Sequence, residues 1–311
     1  MATQERLEDA FAEVGYTGVF FEKSVHDRTG VALLVRHELY RIVEKAEVAF
    51  DELFRRNPQL QTHNNALIGL VEHLASGRRA VVASCHLHWD PAMVQVKTKQ
   101  AHNLCHRIFA FHREHREERV TEKLCEKNKE FAGAHDKSET RAFVCDEEHS
   151  VGDRERDSEA LKGGDRVGNN LSEASGPPGG EEERERVGEG ESVPVIICGD
   201  FNSLPESDVV RLLGKGVAKR PVKCKEKVLR QPLALCSAYE AVGHPETNLT
   251  SKFVGCLDYV WFSRDLLAPE LLLEPVPLQH KEVFSQCASL PNLRLPSDHI
   301  CCMAVLRRIH R

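Results

Sequence analysis

Residues 112–192 constrain most what this chain can fold into, because the periodic pattern on either side of them dissolves there. The stretch is rich in Glu, Arg, Lys, Gly and Ser. It contains Gly176-Pro177-Pro178-Gly179-Gly180 and Glu181-Glu182-Glu183-Arg184-Glu185-Arg186, and it has almost no aromatic residues. A segment of this composition cannot bury enough apolar surface to offset its chain entropy, so it reads as a disordered insert. A charged arm that recruits protein partners is the alternative. The core must then come from the two flanks. Residues 1–112 and 193–311 read as two parts of one domain, with residues 113–192 inserted between them.

The flanks alternate strand and helix signals. Leu7, Ala10, Phe11 and Val14 recur at helical spacing in an opening amphipathic helix. Strands follow at residues 18–21 and 29–35, and a helix at 64–74. The strand at 79–86 leads into a helix at 93–111 with Val94, Val96, Ala101, Leu104, Ile108 and Phe109 as its apolar stripe. After the insert come a strand at 193–198 and a short helix from Ser207, which is placed to cap it. Strands through 237–239, through Asp258 and over 300–306 complete the sheet. Eleven cysteines, an odd number with no Cys-x-x-Cys pair, suggest reduced thiols inside the cell. No targeting segment is visible, and no apolar stretch is long enough to span a bilayer. The net charge of −6 argues against a global electrostatic grip on nucleic acid. Lys97, Lys99, Arg220, Lys223 and Lys252 are left to line a groove or simply to face solvent.

Four strand ends carry chemistry. Val195-Ile196-Ile197-Cys198-Gly199-Asp200-Phe201-Asn202 runs an apolar strand into a Gly turn with an acid and an amide two apart, on one side of the strand. Asp200 suits proton transfer from water, and Asn202 a hydrogen bond to a phosphate oxygen. Gly, Asp, Asn, Ser and Pro are also ordinary turn residues, so this segment fits a plain strand end equally well. Pro296-Ser297-Asp298-His299 precedes the last strand, with a hard oxygen ligand suited to Mg²⁺ beside an imidazole. Asp258 stands alone among apolar neighbours and needs a partner, such as an imidazolium. The strand ending Ser84-Cys85-His86-Leu87-His88-Trp89-Asp90-Pro91 places His86 and His88 on one face. Zinc ranks below phosphate contact there, since no third nitrogen or sulfur ligand lies at short spacing.

Taken in order, His86, Asp200-Asn202, Asp258 and Asp298-His299 resemble the endonuclease/exonuclease/phosphatase superfamily. The His-Leu-His-Trp-Asp-Pro string resembles its deadenylase branch, with the carbon-catabolite-repression deadenylases. The run Glu246-Thr247-Asn248-Leu249-Thr250-Ser251-Lys252-Phe253-Val254-Gly255-Cys256-Leu257-Asp258-Tyr259 and the stretch from Leu290-Pro291 to His299-Ile300 are more similar to the 2′,5′-phosphodiesterases. The resemblance implies a four-layer α/β sandwich of two packed mixed sheets flanked by helices. It implies a Mg²⁺-dependent phosphodiesterase, with Mn²⁺ as a substitute, that releases AMP from 2′,5′-oligoadenylate or poly(A) tails. Asp200 would activate water, and Asn202, His86 and His299 would meet the phosphate. Asp258 would orient His299, and Asp298 and Asp200 would lie at the metal. Phe253 and Pro91 would sandwich an adenine, with Asn248 as a further substrate contact. A core position suits Phe253 equally well.

One departure stands out. The family holds Mg²⁺ mainly through a Glu at the end of an early strand. Here Gln4-Glu5 lies in the opening helix with no apolar strand before it, so Glu5 reads as a helix-surface acid. The expectation is an N-terminally truncated version of the fold with an exposed sheet edge, or a chain whose catalysis has decayed. Two other readings stay open: a phosphatase of the superfamily acting on a nucleotide or cyclic phosphate, and a non-catalytic RNA-binding or interaction relative. The expected compartment is the cytoplasm or the mitochondrion.

Overall fold

The computed structural model describes residues 2–22, 29–135, 193–222, 225–273, 290–293 and 295–309. Two compact units divide the chain, Met1–Thr121 with Gly190–Arg311, and Glu122–Glu189. Everything below concerns the first, except the end of one helix. In chain order the elements are α1 (Ala2–Glu13), β1 (Tyr16–Glu22), β2 (Gly30–Arg36), β3 (Tyr40–Ala49), β4 (Asn65–His73), β5 (Arg79–His86) and α2 (Val94–His135). Then come β6 (Val195–Asp200), α3 (Asp208–Lys215), β7 (Val217–Val222), β8 (Lys225–Arg230), β9 (Leu235–Ser237), β10 (Asn248–Leu249), β11 (Val254–Gly255), β12 (Asp258–Ser263), β13 (Leu267–Leu272) and β14 (Ala304–Arg308).

A six-stranded mixed sheet, ordered β3-β4-β5-β6-β12-β9, is the frame. Alternation sorts its side chains to two faces. Ala66, Ile68, Leu70, Val81, Ala83, Cys85, Val195, Ile197, Tyr259 and Trp261 point to one face, where Ala101, Leu104, Cys105 and Ile108 of α2 and Val209, Val210, Leu212 and Leu213 of α3 cover them. On the other face Leu67, Val71 and Val82 pack under Val31, Leu33 and Val35 of the β1–β2 hairpin. Ile196, Cys198, Val260 and Phe262 pack with Leu267, Ala304 and Leu306 of the β13–β14 hairpin. The layered α/β class expected from the sequence is what forms. Its second layer consists of two separate two-stranded sheets, not one continuous sheet.

Several boundaries differ from the sequence reading, each for a physical reason. Residues 64–74 form strand β4, not a helix. Both faces of this strand are buried, so its apolar residues are nearly continuous and lose the alternation that identifies a strand. Strand β3, on the sheet edge, had no sequence assignment; it is mostly exposed and reads as polar. The last strand begins at Ala304 instead of residue 300. Helix α2 continues through residues 113–135, assigned above to the insert, because Glu, Lys, Arg and Leu are good helix formers even where they cannot build a core. Residues 136–192, the rest of the insert, lie outside the described residues. Val96, Ala101, Leu104 and Ile108 of the predicted stripe are buried, whereas Val94 and Phe109 are exposed. Helix α1 leaves Leu7 and Val14 exposed, and Glu5 is exposed in its first turn. Ser207 Oγ accepts from the Val210 amide and caps α3, which Gly216 ends in the left-handed conformation.

Gly199 is the tightest point of the sheet. Its φ is +149°, and a Cβ there would run into the Cys85 carbonyl of the neighbouring strand. Gly199→Ala is expected to lower unfolding stability by about 2–4 kcal/mol in urea titration. A change within ~0.5 kcal/mol would show that β5 and β6 can part locally without cost.

Candidate active site

Strand register builds the site. Asn65 of β4 pairs with His86 of β5, His86 with Asp200 of β6, and Asp200 with Asp258 of β12. Neighbouring strands lie about 4.8 Å apart, so four polar residues stand in one row across one end of the sheet. All four positions fall on the face covered by the hairpins, where alternation places them beside the apolar residues of that face. Asn65 Nδ2 donates to the Phe21 carbonyl of β1, 3.0 Å away, and ties the hairpin to the row. His299 arrives from the loop before β14 and is anchored by a bridge to Asn248.

The geometry around Asp200 is close. His299 Nδ1 lies 2.7 Å from Asp258 Oδ2; with the carboxylate accepting, the Nδ1 hydrogen is committed there and Nε2 faces Asp200 Oδ2 at 3.9 Å. His86 Nε2 is 3.5 Å from the same oxygen. The Asn202 amide N–H donates to Asp200 Oδ1 at 2.7 Å, and Asn202 Nδ2 donates to Asp200 Oδ2 at 3.1 Å and to the Leu87 carbonyl at 2.9 Å. Asn202 therefore holds Asp200 instead of pointing its amide outward, and does so from a left-handed backbone, φ +46°. Burial, followed by the charge of Asp258, pushes the Asp200 carboxyl up to about 7. The hydrogen bond that His299 donates to Asp258 raises its imidazole above the ordinary value and favours the charged form. A carboxyl that titrates near neutrality beside a held imidazolium can accept a proton and stabilise an anion in one place.

The remaining predicted residues are also located. Pro91 and Phe253 line one cavity of about 430 Å³ together with Trp89, Val94, Lys97, Asn202 and Leu257, a size usual for small-molecule sites. Phe253 is 37% exposed, so the core alternative for it does not hold. Asn248 is buried and donates from Nδ2 to Asp298 Oδ2 at 3.4 Å. His88, read as sharing a face with His86, is instead buried, with Nε2 3.2 Å from the Met93 sulfur. Lys97, which lines the cavity, donates to the Asn202 carbonyl, and Lys99 to the Leu53 carbonyl. Neither Lys223 nor the side chain of Arg220 is among the described residues.

The supporting roles of three residues escaped the sequence reading. Thr247 is fully buried, and its Oγ1 accepts from the amides of Leu257 and Asp258 at 2.9 and 3.1 Å, fixing the start of β12. Asn64 Nδ2 donates to the His86 carbonyl at 3.0 Å. Lys97 Nζ lies 2.7 Å from the Asn202 carbonyl and steadies the strained turn. None carries a periodic signal; only the tertiary fold brings them in.

Asp200 and Asp298 were the expected metal ligands. The acidity is suitable: Asp258 and Asp298 both push the Asp200 carboxyl upward, a surplus of negative charge that a divalent cation would relieve. However, both Asp200 oxygens are engaged by Asn202, and Asp298 is exposed. Among the described residues no group of three or more His, Cys, Asp and Glu side chains is arranged to hold a metal ion. These residues do not by themselves make up a Mg²⁺ site.

A model of the Endonuclease/Exonuclease/phosphatase family matches residues 1–299. The chain belongs to that family. Among curated relatives, it is 26% identical over 323 residues to the CCR4-Not complex 3'-5'-exoribonuclease subunit Ccr4 of Yarrowia lipolytica, a match covering 94% of this chain and 38% of that protein. The Mycosarcoma maydis protein of the same name is 26% identical over 335 residues, covering 96% of this chain and 42% of that one. The chain thus spans less than half the length of these relatives. Two solved structures share the fold at 17% identity. ANGEL2, a 2',3'-cyclic phosphatase in complex with adenosine-2',3'-vanadate, matches with a TM-score of 0.60 over 96% of this chain and 77% of that one. The human Nocturnin catalytic domain with bound sulfate matches with a TM-score of 0.54 over 98% and 77%.

In this endonuclease/exonuclease/phosphatase-family chain, the pairing of Asp258 with His299 yields a prediction. Asp258→Asn should lower the His299 imidazole pKa, read by NMR titration of the ring protons, because the hydrogen bond and charge that raise it are removed. An unchanged titration would show that Asp258 does not hold this imidazole.

Proposed function

We propose that the chain is a phosphodiesterase of the deadenylase branch that releases AMP from oligoadenylate, either 2′,5′-linked or at the end of a poly(A) tail. The observation that carries this reading is the line Asp258–His299–Asp200 beside an apolar cavity lined by Trp89, Pro91 and Phe253. The name of the curated relatives, 3'-5'-exoribonuclease, supports an RNA substrate. The preference for a 2′,5′ linkage rests on the 246–259 and 290–300 stretches of sequence.

In the proposed reaction, water attacks the terminal phosphodiester and gives its proton to Asp200, whose pKa of about 7 suits a base at neutral pH. A bond forms from the water oxygen to phosphorus, and the bond from phosphorus to the upstream ribose oxygen breaks, that oxygen taking a proton from solvent and leaving as the terminal hydroxyl of the shortened chain. His299 Nε2–H, held by Asp258, and His86 donate to phosphate oxygens as charge develops there. Asn202 keeps Asp200 in place through both its amides. Mg²⁺, or Mn²⁺, is the cation proposed with this reading, on the evidence of the acid surplus at Asp200. We place the activity in a reducing compartment, the cytoplasm or mitochondrion, in keeping with the free thiols of the described cysteines. Protein partners would engage the charged insert.

The test is AMP release from 2′,5′-triadenylate and 3′,5′-oligoadenylate, in Mg²⁺ and in EDTA. Asp200→Ala and His299→Ala should each lower kcat about 10²- to 10⁴-fold with unchanged circular dichroism. Near-normal turnover in either variant would remove that residue from the mechanism. Release of inorganic phosphate or opening of a cyclic phosphate would make the chain a phosphatase. Binding of oligoadenylate without turnover would make it a non-catalytic relative.

A further inference from the structure

The chain has two tryptophans, in opposite environments. Trp261 is fully buried beneath α3, stacked on Tyr259 with ring centroids 5.7 Å apart. Trp89 is 68% exposed, well beyond what an indole of this size shows when it serves a core. It lines the cavity that holds Pro91, Phe253 and Asn202. Among the lining side chains Val94 and Phe253 are exposed at 40% and 37%, and Ser203 and Val209 are buried, so Trp89 stands at the mouth and Asn202, tied to Asp200, lies toward the reacting groups.

The position of Trp89 is fixed from behind. Its ring leans against His88 at 5.9 Å between centroids. The His88 amide donates to Gln100 Oε1 of α2 at 2.9 Å, and its Nε2 meets the Met93 sulfur. Asp90 Oδ1, one residue on, accepts from the Ala92 amide at 2.8 Å and sets the turn into α2. An indole carried on a braced turn and left facing solvent beside an apolar cavity has a flat face to offer. Asn202, which holds Asp200, lines the same cavity, and so does a second planar ring, Phe253. Nucleobases present flat faces of that kind and stack on aromatic rings with little regard to sequence.

We propose that Trp89 is a stacking platform for a nucleobase upstream of the terminal one, a second base subsite at the mouth of the cavity. The inference rests on the phosphodiesterase reading of the site and adds a second base contact to it, made by a base-bearing nucleotide upstream of the one released. Trp89 contacts no reacting atom in this arrangement. It raises affinity for longer chains and leaves the chemical step alone.

Fluorescence tests this without turnover. In EDTA, titration of the full chain with 3′,5′-oligoadenylate, with oligouridylate, with an abasic phosphodiester of equal length and with AMP should quench indole emission strongly for the two base-bearing oligomers. It should quench little for AMP and not at all for the abasic chain. The quenching should vanish in Trp89→Ala, whose residual emission comes from buried Trp261. In Mg²⁺, Trp89→Ala should raise KM for oligoadenylate about 5- to 100-fold with kcat unchanged, the range one stacked base is worth, and Trp89→Phe should recover much of it. Oligoadenylate that binds by anisotropy of a labelled strand without changing Trp89 emission would overturn the second subsite and leave the phosphodiesterase reading standing. Failure of any oligonucleotide to bind or be cleaved would overturn both. A fall in kcat with KM unchanged would also overturn the inference, because Trp89 would then be acting on the chemical step.

Discussion

The register of β5, β6 and β12 is the constraint on which the rest of the site depends. Backbone hydrogen bonds fix which residues stand opposite one another, and a slip of one residue would turn each side chain to the other face. In the observed register His86, Asp200 and Asp258 fall in one row. Three strands hold that row, and their alternate side chains lock into separate clusters above and below the sheet. The row is therefore as rigid as the sheet, whereas Trp89, Pro91, Asn202, Phe253 and His299 reach the site from loops. Gly199, with no Cβ to push against the Cys85 carbonyl, lets β6 come close enough to β5 for the row to form.

The second constraint is electrostatic. Asp200 is largely buried with Asp258 close by, and burial and the Asp258 charge both disfavour its ionised form. The structure manages this unequally. Asp258 is satisfied by the His299 imidazole and by its backbone bond to Thr247, while Asp200 receives only neutral donors from Asn202 and more distant imidazoles. Asp200, with no cation in close contact among the described residues, is pushed towards neutrality, where it can exchange a proton with water. This follows from His299 pairing with Asp258 on the neighbouring strand.

How much of this was legible in the sequence depends on whether a signal was local. The strand-end motifs were readable, since alternation and turn residues act over a few positions, and the structure brings His86, Asp200, Asn202, Asp258 and His299 to one place. The Ser207 cap and the α3 helix were readable for the same reason. Strand β4 was not, because burial on both faces removes the very alternation that identifies a strand, and β3 was not, because an exposed edge strand keeps too little apolar pattern. The hydrogen bonds that aim Asn202 inward at Asp200 and Leu87 depend on a left-handed turn and a neighbouring strand, and nothing in the local sequence announces them. Thr247 supports Asp258 from eleven residues away and looks, in sequence, like any loop threonine.

The long segment between α2 and β6 follows from the same sheet. Strands β5 and β6 are parallel, so the chain must cross over between them, and a crossover has a minimum length but no sharp maximum. The entropy of closing a flexible loop grows only with the logarithm of its length, about 0.6 kcal/mol for each doubling. Extra residues there cost little. The pairing of Val81 with Val195 through His86 with Asp200 is set by ladder hydrogen bonds and by side chains already locked in the core. The insert also joins β6 at its entry, next to Val195, whereas Asp200 is at its exit. Length added at the entry changes the closure entropy without moving the register, so this crossover tolerates a charged insertion that the loop between β6 and α3, with Asn202 in it, would not.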